Sequence, residues 1–121
     1  MSYIGNILLD KSLDFAVRIV KLHDELRSIK EYSMSEQLLR SGTSIGANVS
    51  ESISAESSID FIHKLSIAQK EANETIFWIK LLSRTKYIPL ETSSSLIKDC
   101  DEIRKIISST ILSTKKKIQN S

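Results

Sequence analysis

Seven residues, Phe61, Leu65, Ala68, Ala72, Thr75, Ile79 and Leu82, recur in alternating steps of four and three. Only an α-helix brings such a set to one side, and a seam of this kind is stable only when other helices cover it. The chain is therefore read first as a packed set of long helices. The rest of the sequence agrees: three glycines and one proline among 121 residues leave long stretches without a breaker.

Three further segments repeat the pattern. Phe15, Ile19, Leu22, Leu26 and Ile29 form a first stripe, and Met34, Leu38, Ile45, Val49 and Ile53 a second. Leu96, Cys100, Ile103, Ile107 and Ile111 form the last, beyond the break at Pro89. Ser33-Met34-Ser35-Glu36 has the form of a capping box, and Ser57-Ser58-Ile59-Asp60 has a similar form. These signals predict helices over about 10–31, 33–56, 58–86 and 90–117, within one domain covering 1–121. Short connections make neighbours antiparallel, so the expected fold is all-α, an up-down-up-down four-helix bundle.

The pattern leaves apolar residues over. At about 100° per residue, Ile59, Ile67, Phe77, Trp78 and Leu81 lie well round from the seam of the third helix. Leu13, Val17 and Val20 lie opposite the stripe of the first. One bundle core cannot bury both faces of a helix, which predicts a homo-oligomer.

Gly42, Gly46 and Ser50 are spaced by four inside the second helix. A mid-helix glycine costs about 1 kcal/mol relative to alanine, so close approach of another helix is expected there, within the chain or across an oligomer interface. The same stretch spells Gly42-Thr43-Ser44-Ile45-Gly46, a match to G-x-S-x-G. That motif needs a strand before the serine and a histidine partner, and the helical pattern supplies neither. No catalytic residue is assigned.

Level matching of the second and third helices about Ser57-Ser58 sets Glu51 beside Lys64 and Arg40 near Glu71 and Glu74, as structural ion pairs. A carboxylate metal centre in a bundle needs Glu-x-x-His pairs, which are missing, so neither metal nor cofactor is expected. Cys100 occupies a seam position and reads as a small buried hydrophobe. One cysteine excludes an internal disulfide.

The net charge of +2 is unevenly spread, with 8 basic and 11 acidic residues over 1–79 against 9 and 4 over 80–121. Lys98, Arg104, Lys105, Lys115, Lys116 and Lys117 make the fourth helix a candidate phosphate-contacting stripe for RNA or DNA. The competing reading is a solvated face whose cations suit the helix dipole. The opening residues lack a basic region ahead of Ile7-Leu8-Leu9, and no apolar run reaches membrane-spanning length, so a cytoplasmic protein without membrane contact is expected.

Particular residues carry a resemblance. Leu39-Arg40-Ser41 with Ser44-Ile45, Asn48 and Glu51, then Asp60-Phe61, Lys64-Leu65, Ala68, Lys70-Glu71, Glu74-Thr75 and Trp78, resemble a bacterial four-helix-bundle family. That family is encoded in intervening sequences of 23S ribosomal RNA genes. The likeness extends over roughly residues 10–117, by pattern alone in the first and fourth helices. It implies a homopentameric barrel and no enzyme. A related branch, the accessory proteins of diversity-generating retroelements, works with a reverse transcriptase and binds nucleic acid through a basic surface. The resemblance thus implies either a scaffold that binds nucleic acid or an adaptor for a protein partner such as a reverse transcriptase.

Overall fold

The computed structural model describes residues 3–121, with side chains from residue 5 onward. Four helices follow one another, α1 (Tyr3–Ser28), α2 (Ser33–Ile53), α3 (Ser58–Arg84) and α4 (Leu90–Gln119), and there is no strand among the described residues. Each helix packs against its chain neighbours, α4 closes back on α1, and α1 sits diagonally from α3.

The core is the set of seams. Leu8, Phe15, Ile19, Leu22 and Leu26 of α1 meet Leu38, Ile45 and Val49 of α2, with Leu65, Ala68, Ala72, Ile76, Ile79 and Leu82 from α3. All five seam residues of α4 are buried. Small residues on α3 let α4 come close: the Cys100 thiol donates to the Ala72 carbonyl at 3.6 Å. Between α2 and α3 the core holds one polar contact, Thr75 Oγ1 to Ser41 Oγ at 3.0 Å.

Several expected boundaries move. α1 begins at Tyr3 instead of Asp10, because Leu8 and Ser12 carry the same stripe backward and both are buried. It ends at Ser28, so Ile29 falls in the turn and is 57% exposed. α2 stops at Ile53, which is exposed, and α3 at Arg84. Phe61 and Met34 are only half-buried at the ends of their stripes.

The two caps differ from one another. At α3 the Ser57 hydroxyl accepts from the Asp60 amide at 3.0 Å, while the Asp60 carboxylate accepts from the Glu56 amide at 3.3 Å. At α2 the expected box at Ser33 does not form. Ser33 is already helical, and the buried Glu31 carboxylate reaches forward to accept from the Ser35 amide at 2.7 Å. The Ser35 hydroxyl returns a hydrogen bond to the Glu31 carbonyl at 2.7 Å. A glutamate before the helix, with its longer reach, thus satisfies the Ser35 N–H, and the Glu36 N–H that the box would give to Ser33 donates to the Tyr32 carbonyl at 3.3 Å.

Candidate interaction surfaces

The glycines of α2 face inward, toward α1. A Cβ on Gly42 would stand 2.8 Å from Ile19 Cγ2 and 2.9 Å from Cγ1, closer than side-chain packing tolerates. At Gly46 the same atom would meet Ser12 at 3.5 Å, an ordinary contact. Ser50, third in the strip, is exposed. The strip is a close-packing device within the chain at its Gly42 end, and only Ser50 is left to face outward.

On the α2–α3 seam, the Arg40 guanidinium bridges Glu71 at 3.5 Å and Glu74, and Lys64 lies 3.9 Å from Glu51. Trp78 joins this group, its indole N–H donating to Glu74 Oε2 at 3.2 Å. Phe77 stands edge-on to Trp78 with ring centroids 5.1 Å apart. Phe77 itself is 57% exposed, while Trp78, Leu81 and Ile67 are half-buried. With Ile59, 73% exposed, they make an uncovered apolar face on α3. Leu13, Val17 and Val20 make another on α1, Leu13 being 60% exposed.

Ser44 is a helical hydroxyl donating to the Arg40 carbonyl at 2.6 Å, and His23 faces Glu36 at 3.4 Å and Asp24 at 3.5 Å. Nothing joins serine and histidine into a triad. Among the described residues no group of three His, Cys, Asp or Glu side chains is placed to hold a metal ion.

Of the six cations on α4, two are engaged. Asp101 Oδ1 accepts from Arg104 at 2.5 Å and Oδ2 lies 3.3 Å from Lys105. Arg104 also donates to Asn73 Oδ1 at 2.8 Å. The Arg104 hydrogen bond, followed by that of Lys105, holds the Asp101 carboxyl below its usual range. Lys98, Lys115, Lys116 and Lys117 are exposed. The spacing of Asp101 three and four residues before its partners carries this pairing in the sequence.

The α1–α4 seam, in contrast, has no sequence signature. Arg18 bridges to Asp99 at 2.6 Å and donates to Ser95 at 3.1 Å, and Lys11 pairs with Glu102. These residues flank a shallow cleft of about 180 Å³. A second cleft, about 270 Å³, opens at the α2–α3 turn between Leu8, Ile53 and Phe61. No helix among the described residues is long and apolar enough to cross a membrane.

The family model described as 23S rRNA-intervening sequence protein matches residues 6–109. A crystal structure of a protein of unknown function from the S23 ribosomal protein family of Bacteroides thetaiotaomicron superposes with a TM-score of 0.87. The two are 54% identical, and the match covers 89% of this chain and 97% of that one. No curated protein matches the chain.

Proposed function

The chain belongs to the 23S rRNA-intervening sequence protein family, and from that premise we propose that it is a non-catalytic, self-assembling helical scaffold in the cytoplasm. The observation that carries the reading is the pair of uncovered apolar faces, Leu13, Val17 and Val20 on α1 and Ile59 with Phe77 on α3. The core is complete without them. α1 and α3 are diagonal, so their outer faces point apart. A single two-fold contact covers one such face only, whereas a head-to-tail contact between α1 of one copy and α3 of the next covers both in every copy, and makes a ring when its rotation closes. A ring of five is the proposed size, in keeping with the family resemblance.

In this reading Lys98 and the Lys115–Lys117 run supply a weak phosphate contact for RNA or DNA, repeated around the assembly. Arg104 and Lys105 contribute less than their charge suggests, since Asp101 neutralises part of it.

The test uses complementary lesions. Val17→Glu blocks the α1 face and Phe77→Glu the α3 face; each variant alone should be a monomer by light scattering. Mixed, they should form a heterodimer through their intact faces. A full-size assembly from either variant, or a mixture that stays monomeric, contradicts head-to-tail assembly. A native chain that is monomeric favours the adaptor reading, with the apolar faces docking a protein partner.

A further inference from the structure

The end of the bundle that carries both the α1–α2 and α3–α4 turns concentrates apolar and cationic side chains that the core and the ion pairs leave unused. The Arg18–Asp99 and Arg40–Glu74 pairs fix the register of neighbouring helices and set residues 27–32 level with residues 84–91. Ile29, Tyr32, Tyr87 and Leu90 are all exposed there, Leu90 by 74%. Arg27 lies 5.0 Å over the Tyr32 ring and covers one of its two faces. Lys30, Arg84 and Lys86 are exposed around them, and none takes part in an ion pair among the described residues.

One acid of this end is turned inward, Glu31 on the Ser35 amide. Asp24 and Glu36 lie 3.5 and 3.4 Å from His23 yet stay exposed, as do Glu25 and Glu91. Each turn also keeps a lysine in the left-handed region, Lys30 at φ 67° and Lys86 at φ 66°. Glycine would end both helices there without strain. A cation beyond a helix C-terminus suits the dipole, but that does not account for two tyrosines and two aliphatic side chains held in water beside it.

We propose that this end binds single-stranded nucleic acid, with bases stacking on Tyr32 and Tyr87 and phosphates meeting Arg27, Lys30, Arg84 and Lys86. Stacking on exposed aromatics interleaved with cations is how strands without duplex geometry are held, and every base offers a face to it. The surface is distinct from the α4 cations and does not depend on the assembly.

The experiment is fluorescence anisotropy on the full chain with a labelled oligothymidylate, the corresponding duplex, and vesicles of anionic phospholipid. The single strand should bind more tightly than the duplex. Tyr32→Ala and Tyr87→Ala should each weaken it about tenfold. Lys30→Gly with Lys86→Gly should flatten the salt dependence while the melting temperature stays or rises, a combination that a purely structural lysine does not give. Affinity unchanged in the tyrosine variants overturns the proposal. So does binding that is abolished by charge reversal at Lys115–Lys117 yet indifferent to the turn variants, which would leave the α4 contact standing. Vesicle binding without oligonucleotide binding overturns it in favour of a membrane surface.

Discussion

Gly42 stands against Ile19 so closely that the smallest added side-chain atom would come within 2.8 Å of the isoleucine Cγ2. Ile19 is fully buried and β-branched, so it has little freedom to move aside. Gly42→Ala should therefore destabilise the bundle by about 1–3 kcal/mol despite the gain in helix propensity. Gly46→Ala, whose new atom would meet Ser12 at 3.5 Å, should be neutral or stabilise by up to about 1 kcal/mol. Urea unfolding of the two variants decides it, and the opposite order of stabilities would sink the packing account.

Thr75 and Ser41 form a buried pair between α2 and α3. Thr75 also donates to the Glu71 carbonyl at 2.7 Å, so it accepts from Ser41 when both hydroxyls are satisfied. Thr75→Val should cost about 1–2 kcal/mol by leaving the Ser41 hydroxyl only its long contact to the Leu38 carbonyl at 3.4 Å. Adding Ser41→Ala should recover part of that loss in a double-mutant cycle, and strict additivity would show that the two hydroxyls do not interact.

Asp101 ties down Arg104 and Lys105. Its folded pKa is lowered from 3.8, so its contribution to stability is present above that value and fades as pH falls through the lower folded one. The pair is exposed, hence the effect should be small and screened by salt. Asp101→Asn should erase this acid-range pH dependence near neutral cost and, by freeing two cations, tighten any binding of duplex nucleic acid. An affinity that falls in this variant would remove α4 from the phosphate contact.

Cys100 is wholly enclosed and burial pushes its thiol up to about 12. A thiolate is the reactive form, so the native protein should resist alkylation at neutral pH and react at the ordinary rate only when unfolded in urea. Fast labelling of the folded chain would mean that the α3–α4 seam opens locally.

The parts of this fold that were legible in the sequence are those set by one helix at a time. The α4 seam from Leu96 to Ile111, the α3 seam around Ala68 and Ala72, and the Ser57 cap follow from periodicity and local chemistry. The Arg40–Glu74 and Lys64–Glu51 pairs were legible too, because a short turn fixes the register of α2 against α3. What was not legible depends on distant segments or on reach. The α1–α4 ion pairs join residues 81 (Arg18–Asp99) and 91 (Lys11–Glu102) positions apart, and no local pattern sets that register. Glu31 displaced the serine cap because a long side chain outside the helix can satisfy its amides. The turn-end cluster of Tyr32, Tyr87 and Leu90 emerges only when two separate connections arrive at one end.

If the apolar faces of α1 and α3 are covered by further copies of the chain, light scattering on the native protein across a dilution series should find a discrete ring of about five times 13.7 kDa that holds its mass on dilution. A particle of 13.7 kDa at every concentration would mean that these faces stay uncovered.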